Sequence, residues 1–366
     1  MKYLLLLVLN LIALTGFSQE TAKSLKLILV TYDGCRWQEV FRGADKRLLK
    51  RLAHSKLDTA LVRGVSEGTH AEKRKALSPF LWNVVAEKGM LIGNRDKGNT
   101  LALTNPYLFS YPGYSELFCG YVDRHVNSNK YPDNPNKGMV DFLCEDSAYK
   151  NAIAIFSNWD AFPRILNSNR NSIPMYCEYV SADSLHRKQY SCYAGFTTSI
   201  PEPSPYALKD TLVFHHAKEY IHRNHPRVSF IGFDETDHFG HENNYPAYIG
   251  AINQLDRYMN DLWTMVQSDS FYKDQTMIAI TCDHGRGGAF ANMWRHHGFP
   301  VPNSRFTWLA IMGPGVPAIG EWKEVHVAYH NQIAATLVKL LGKDYKIDKH
   351  HVGRPIKEVI EPKSKQ

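Results

Sequence analysis

The chain has 366 residues, with 43 Lys and Arg against 36 Asp and Glu and a formal net charge of +7. A chain of this length with 12% aromatic residues can bury a large core, and its six cysteines are too sparse for a disulfide-held scaffold. The mild positive charge is scattered along the sequence, so no nucleic-acid-binding patch is predicted.

The first eighteen residues are typical of an export signal. Lys2 supplies a positive charge, residues 3–14 are apolar, and Gly16 and Ser18 are the small residues of a cleavage site. The apolar run is shorter than the roughly 20 residues that span a bilayer. We therefore expect cleavage after Ser18, a periplasmic or extracellular protein, and no stable membrane span after cleavage. An uncleaved anchor is the alternative.

The next signals are apolar runs that predict buried strands. They occupy residues 25–31, 152–156, 228–233, 277–281 and 308–312. Helical patterns are found at residues 79–88, 209–222, 245–266 and 331–341. This alternation predicts an α/β fold, with a central, mostly parallel sheet and helices on both faces.

The mature chain, residues 19–366, is interpreted as a single domain. Residues from about 122 to 205 are rich in Asn, Ser, Tyr and Pro, and we interpret them as a loop-rich insertion over the edge of the core. The oligomeric state is left open.

Four short strings carry acids and histidines. Asp33 follows the first strand in YDG. Asp237 and His241 are four residues apart in DETDHFGH, after the strand at 228–233. Asp283 and His284 stand in TCDHGRGG, after the strand at 277–281. The last string, WRHHGF, contains His296 and His297. Taken singly, each string is also compatible with a polar turn.

Taken together, the strings provide three acids and at least three histidines. Sites in parallel sheets form at the carboxyl ends of the strands, which is where most of these residues are expected. Carboxylate and imidazole are ligands that zinc accepts in catalytic sites. Two divalent ions fit this inventory, and a pair of ions about 4 Å apart suits phosphoryl transfer.

A hydroxyl nucleophile is predicted in the string SYPG. Pro112 favours the start of a short helix, which would place Ser110 at its N-terminus, where backbone N–H groups and the helix dipole attract an anion. Ser110 is the candidate nucleophile. The alternatives are that Ser110 only caps the helix or that Ser115 is the nucleophile.

The ordered set of strings resembles the alkaline phosphatase superfamily over residues 25–341. It is most similar to the branch of nucleotide pyrophosphatase/phosphodiesterases and phosphonoacetate hydrolase. The resemblance implies a central sheet flanked by helices and two Zn²⁺ ions. It implies one ion held by Asp237, His241 and His297. The second would be held by Asp33, Asp283, His284 and the nucleophile Ser110.

The chain departs from this family at two positions. Ser110 and Gly113 stand where the phosphodiesterases have Thr and a phosphate-binding Asn. The resemblance therefore implies that another group contacts the phosphoryl oxygens, and the candidates are Arg36, Asn158 and Arg164. His238 and His296 are further candidates for contact with substrate.

The resemblance implies a secreted, zinc-dependent hydrolase of phosphate esters that acts on a phosphorylated small molecule through a phosphoseryl intermediate. Both phosphomonoesterase and phosphodiesterase activity fit. The alternatives are a sulfatase, a phosphonate hydrolase, or an inactive secreted binding protein with the same fold. Tyr114 stands where the sulfatase motif C/S-x-P-x-R requires an arginine.

Overall fold

The computed structural model describes residues 25–50, 59–177, 208–347 and 350–361. The predicted export signal at residues 1–18 lies outside these ranges, so its cleavage and the destination of the protein stay predictions. Within the described ranges, none of the helices combines the length and the apolar character that crossing a bilayer requires.

Eleven strands form two sheets in the described part of the chain. They are β1 (Lys26–Tyr32), β2 (Gly89–Ile92), β3 (Asn99–Ala102), β4 (Ile153–Ser157), β5 (Met175–Cys177), β6 (Val228–Phe233), β7 (Thr276–Thr281), β8 (Phe306–Thr307), β9 (Leu309–Met312), β10 (Gly320–Glu321) and β11 (His326–Tyr329). The five strands predicted from apolar runs are all present, and their ends lie within one residue of the predicted ends.

The larger sheet has eight strands in the order β10-β2-β9-β7-β1-β6-β4-β5. Its neighbouring strands are parallel except that β9 runs antiparallel to both β2 and β7. In the smaller sheet, β3 lies between β11 and β8.

Helices connect and cover the strands. The α-helices are Trp37–Arg42, Lys46–Lys50, Thr59–Ser66, His70–Leu77, Ala86–Lys88, Ser110–Cys119, Met139–Glu145, Phe162–Ile165, Leu208–Asn224, Glu235–His241, Tyr245–Ser268, Ile333–Leu340 and Lys357–Ile360. A π-helical turn, Leu81–Val85, precedes Ala86–Lys88, and 3₁₀ turns occur at Arg95–Lys97, Phe290–Arg295, Pro302–Arg305 and His330–Gln332.

Strand β1 shows how the two faces of the larger sheet are covered. All seven of its residues are buried, and successive side chains point to opposite faces. Val30 packs in a core layer that contains much of the helix Tyr245–Ser268. Leu29 packs in the other layer, with the helices Ser110–Cys119 and Ile333–Leu340. The predicted fold class, a mostly parallel sheet with helices on both faces, is confirmed.

The predicted insertion at residues 122–205 includes two strands of the larger sheet, so its predicted bounds are too wide. Both β4 and β5 come from this stretch, and they are strands of the larger sheet beside β6. Residues 122–152 and 158–174 form loops and two short helices around these strands. Residues 178–205 lie outside the described ranges, so an insertion there stays a prediction, as does the single-domain boundary.

Candidate active site

The candidate site lies where three neighbouring parallel strands end. Because β7, β1 and β6 are adjacent and parallel, their carboxyl ends meet at one edge of the sheet. Asp33 directly follows β1, and Asp283 and His284 come just after β7. Asp237 and His241 lie on the short helix that follows β6. The sheet therefore brings together residues that are far apart in the sequence.

His297 reaches the same edge by a different route. Strand β9 is antiparallel to β7 and its first residue, Leu309, pairs with Thr281, the last residue of β7. The segment that precedes β9 therefore passes over this edge. The imidazole ring of His297 stacks on that of His284, with the ring centroids 4.1 Å apart.

Asp33, Asp283 and His284 form a group that we call the buried half of the site. The Nε2 atom of His284 lies 3.5 Å from a carboxylate oxygen of each aspartate. The three side chains are at most 3% exposed. One oxygen of Asp33 accepts a hydrogen bond from the Tyr114 hydroxyl, and one oxygen of Asp283 accepts from the Gly34 N–H. The other oxygen of each carboxylate is buried without a hydrogen-bond partner.

The electrostatics of the buried half call for a cation. Burial raises the pKa of Asp33, and the nearby Asp283 and Asp237 raise it further. Burial also raises the pKa of Asp283, although His284 and the Gly34 N–H oppose this shift. Two buried carboxylates with unpaired oxygens repel each other, and a divalent ion would satisfy both. The donor set of two carboxylates and one imidazole therefore fits a metal ion.

Asp237, His241 and His297 form a second group, which we call the open half. The Nε2 atoms of His241 and His297 are 2.8 Å apart, and they lie 3.1 and 3.6 Å from carboxylate oxygens of Asp237. The His241 side chain is 51% exposed, so this half opens to solvent. His284 stands between the halves, since its Nε2 is 3.9 Å from Asp237 Oδ1. One carboxylate and two imidazoles also form a donor set that zinc accepts.

The open half contains a cation that the sequence analysis missed. The guanidinium of Arg286 is buried and forms an ion pair with Asp237. It also donates to the backbone carbonyls of Trp294 and Arg295, which precede His297. Arg286 therefore ties Asp237 to the segment that carries His297. The sequence did offer one indication of Arg286, since it lies two residues after His284 and between two glycines.

Two glycines make room for this guanidinium. A Cβ atom on Gly240 would lie 2.6 Å from Cζ of Arg286, and one on Gly34 would lie 2.9 Å from its Nη1. Burial raises the pKa of Asp237, but Arg286 and the neighbouring histidines outweigh burial and hold this pKa well below its usual range. Burial, together with His284, lowers the pKa of His297 to about 2, which keeps its imidazole neutral and able to bind a metal ion.

Ser110 is the first residue of the helix Ser110–Cys119, as predicted, with Phe109 as the N-cap. The Ser110 Oγ lies 3.2 Å from Nε2 of His284. His284 Nδ1 donates to the Gly285 carbonyl at 2.8 Å, so Nε2 is the ring nitrogen that faces Ser110 and the two carboxylates. The structure thus places the Ser110 hydroxyl at the buried half.

Ser115 lies on another side of the same helix. Its buried hydroxyl accepts a hydrogen bond from Asn134 and lies near the Cys119 thiol. This position argues against Ser115 as the nucleophile. Gly113, the departure from the family pattern, also has a physical explanation. A Cβ atom there would lie 2.5 Å from the backbone oxygen of Asp283, so a side chain does not fit.

The N-terminus of this helix offers fewer donors than predicted. Pro112 has no N–H, and the N–H of Gly113 donates to the Phe109 carbonyl. The N–H of Tyr111 donates to Oδ1 of Asn129 at 2.9 Å. The side-chain amide of Asn129 is consequently held beside Ser110. Asn129 was not predicted, since no local pattern distinguishes it from the other asparagines in its loop.

The five predicted substrate contacts lie outside both metal-binding groups. Arg36 is buried and bonded to Glu39 and to the Gly287 carbonyl. Asn158 donates to Asp210, and Arg164 donates to the backbone carbonyls of Asn129 and Tyr131.

Arg164 thus supports the loop that carries Asn129. His238 is paired with Glu242, and His296 is exposed. Arg36 has its guanidinium committed to structural contacts, which argues against the predicted role in phosphate binding.

Comparison with known proteins agrees with this description. The family model of the Metalloenzyme superfamily matches residues 203–344, which include Asp237, His241, Asp283, His284 and His297. No curated protein sequence matches the chain.

The fold is similar to that of several solved structures. The alkaline phosphatase PafA is 12% identical, with a TM-score of 0.56, and the match covers 92% of this chain and 99% of that chain. BT1596, a 2-O GAG sulfatase, is 11% identical, with a TM-score of 0.57 and coverage of 93% and 75%. An inactive form of murine ectonucleotide pyrophosphatase/phosphodiesterase 5, in complex with AMP, is 11% identical, with a TM-score of 0.54 and coverage of 88% and 96%.

At the level of the fold, these matches bear out the predicted resemblance to the alkaline phosphatase superfamily. At such low identity the structural matches establish the fold and leave the reaction open, because both phosphatases and sulfatases share it.

Proposed function

We propose that this protein is a metal-dependent hydrolase of phosphate esters with Ser110 as its nucleophile. One observation carries the proposal. The Ser110 hydroxyl lies 3.2 Å from His284 Nε2, in a buried group whose two carboxylates each keep an unpaired oxygen. A hydroxyl held against a cation site is the arrangement that activates it for attack on phosphorus.

The two halves of the site are each assigned one Zn²⁺ ion. Asp33, Asp283, His284 and Ser110 would hold one ion, and Asp237, His241 and His297 would hold the other. The ions, when bound, supply positive charge that lowers the pKa of hydroxyl groups and neutralises charge that develops in the reaction. The mixture of carboxylates and imidazoles favours zinc over calcium or magnesium, which prefer oxygen ligands.

The residues of the chain divide the reaction between them. Ser110 Oγ gives up its proton and forms a bond to phosphorus as the bond to the leaving group breaks, and the leaving oxygen takes up a proton. Water then attacks the phosphoseryl group, which releases phosphate and restores the Ser110 hydroxyl. The exposed His241 places the open half toward solvent, where the leaving group departs and water enters.

Asn129 is assigned the contact with a phosphoryl oxygen. Its Oδ1 accepts from the N–H of Tyr111, the residue after Ser110, and its NH₂ group would donate to an anion bound there. Asn129 would thus fill the role for which the sequence suggested Arg36, Asn158 or Arg164.

We also propose export to the periplasm or the extracellular space. This part of the proposal rests on the first eighteen residues alone.

A sulfatase is the competing function, since the fold of the 2-O GAG sulfatase is also similar. The structure offers a local reason to prefer phosphate. Tyr114, at the position of the sulfatase arginine, is buried and donates its hydroxyl hydrogen bond to Asp33 at 3.1 Å. It therefore supports a metal-binding carboxylate instead of a sulfate group.

The test uses zinc-loaded protein and four aryl substrates with the same leaving group, namely a phosphate monoester, a phosphate diester, a phosphonate and a sulfate. We expect a phosphate ester to be hydrolysed fastest. Ser110→Ala should reduce turnover at least about 10³-fold while the metal content stays at the wild-type level. Ser115→Ala is the matched control and should stay active. Undiminished activity of the Ser110→Ala protein, or faster hydrolysis of the sulfate, would overturn the proposal.

A further inference from the structure

A second concave region lies away from the metal-binding groups, and we call it the basic cleft. It has a volume of about 400 Å³ and is built by the helix Trp37–Arg42, the first residues of Lys46–Lys50 and the helix His70–Leu77. The backbone of Gly288 and Ala289 forms part of its wall. Five of its side chains carry a positive charge, namely Arg36, Arg42, Lys46, Arg47 and Lys73.

The acidic side chains in the cleft do not balance this charge. The two acids that line it, Glu39 and Asp45, are already paired with Arg36 and Arg47. Arg42 pairs with Asp96, which is not among the residues that line the cleft. Among the described side chains, no carboxylate lies within ion-pair distance of Lys46 or Lys73. Two lysines therefore face one cavity with no described carboxylate at ion-pair distance from either.

The environment of the cleft is unfavourable for these cations when no anion is bound. Burial lowers the pKa of Lys73, and the charges of Arg42 and Lys46 lower it further against the opposing effect of Asp45. Burial also lowers the pKa of His70, again with contributions from Lys73 and Arg42. Both shifts reflect positive charge in the cleft that a bound anion would neutralise.

We propose that the basic cleft binds an anion of the phosphate class that carries at least two negative charges. Lys46 and Lys73 supply the uncompensated charge, and Arg42 has further N–H donors beside them. Ammonium and guanidinium groups are the usual partners of phosphate oxygens. The volume of about 400 Å³ lies in the range of small-molecule sites and accommodates a diphosphate or a phosphorylated small molecule.

The chain connects the cleft to the active site. Arg36 is three residues from Asp33, and Gly288 is four residues from His284. An extended chain spans at most about 3.6 Å per residue, so Arg36 and Gly288, which line the cleft, lie within roughly 14 Å of Asp33 and His284 along the chain. The anion can therefore come from two sources. It can be a second phosphate on a substrate whose reacting group lies at Ser110, or it can be free phosphate.

The binding test uses the full-length protein after removal of metal ions by a chelator. Inorganic pyrophosphate is titrated by calorimetry into the wild type and into the double variant Lys46→Gln/Lys73→Gln. We expect one saturable site in the wild type and a dissociation constant at least tenfold higher in the double variant. Lys75→Gln is the matched control, because Lys75 is exposed on the same helix and does not line the cleft.

The control should bind within twofold of the wild type. Thermal unfolding of each variant shows whether it is folded. Absence of saturable binding in the folded wild type, or equal affinity in the folded double variant, would overturn the proposal. This titration is independent of the proposed hydrolase function, so the two can fail separately.

A kinetic experiment distinguishes the two sources, and this arm rests on the proposed function. If the cleft holds a second phosphate of the substrate, the double variant should raise KM for a bisphosphorylated substrate and leave KM for a simple aryl phosphate unchanged. If the cleft holds free phosphate, only the inhibition by added phosphate should change. If none of these three quantities changes in the double variant, the cleft is not connected to catalysis.

Discussion

The buried half and the open half of the candidate site use similar side chains in different surroundings. The buried half has two carboxylates with little exposure and an unpaired oxygen on each. The open half has one carboxylate, and Arg286 already neutralises its charge. His241 in the open half is about half exposed, whereas His284 is fully buried.

This difference indicates separate tasks for the two halves. An ion in the buried half would relieve repulsion between two carboxylates, so its binding should stabilise the folded protein. In the open half, the charge of Asp237 is already neutralised by Arg286, so an ion there would gain less electrostatic stabilisation. We therefore expect the buried half to bind zinc more tightly, and the open half to exchange its ion more readily.

The largest expected effect is the loss of a ligand from the buried half. Asp283→Asn should remove the tightly bound ion and reduce turnover at least about 10³-fold, because the group that activates Ser110 is lost. Metal analysis after gel filtration should show about one ion per chain fewer than in the wild type.

Asp237→Asn should spare this tightly bound ion and remove only the weaker one. Asp234→Asn is the control, since Asp234 is the N-cap of the helix that carries Asp237 but belongs to neither metal-binding group. If Asp237→Asn instead removed the tighter ion, the assignment of affinities would be reversed.

A smaller effect is expected from Arg286. Arg286→Met should weaken zinc binding in the open half about 10- to 100-fold, the usual scale for a group that orients a metal ligand. The physical reason is that Asp237 and the segment before His297 lose their common anchor.

Arg286→Lys keeps the charge but cannot donate to all three acceptors, so it should fall between the wild type and Arg286→Met. Competition with a fluorescent zinc chelator measures these affinities. Tighter zinc binding in Arg286→Met would show that the charge of Arg286 mainly opposes the ion.

The last effect concerns acid stability near the buried half. Burial and the nearby His284 lower the pKa of His330 to about 3, whereas an unfolded histidine has a pKa of about 6.5. Between these values the unfolded chain binds the additional proton. The free energy of unfolding of the metal-free protein should therefore fall as the pH decreases below about 6.5, by up to about 1.4 kcal/mol per pH unit for this group.

Replacing His330 by Phe should reduce this slope, and replacing the exposed His351 by Gln should not. Urea unfolding at several pH values between 4 and 7 provides the measurement. Equal slopes for the wild type and the His330→Phe protein would show that His330 does not stay neutral in the fold.

The elements that could be predicted are those with a strong local signal. The strands β1, β4, β6, β7 and β9 are buried runs of apolar residues, which the sequence displays directly. The strands β2, β3, β5, β8, β10 and β11 have two to four residues, too few to show a period. Their pairing depends on the sheet that surrounds them. Strand β9 also has four residues, but Trp308 before it extends its apolar run to five.

The candidate metal ligands were predictable for a similar reason. Asp33, Asp237 and Asp283 follow strands closely, and strand order in a parallel sheet brings such positions together. Arg286 and Asn129 were missed because their roles arise from contacts with distant segments. Arg36 was assigned to substrate because a sequence does not show that its charge is already matched by Glu39.

Gly113 has a consequence for how this site can change. The helix that begins with Ser110 approaches the Asp283 carbonyl so closely that even a methyl group would force the two segments apart. The distance from Ser110 to the buried half is thus set by a contact between two backbone segments, and no side-chain substitution can change it. A new substrate preference would then arise through the surrounding loops, while the spacing between Ser110 and its metal-binding partners stays constant.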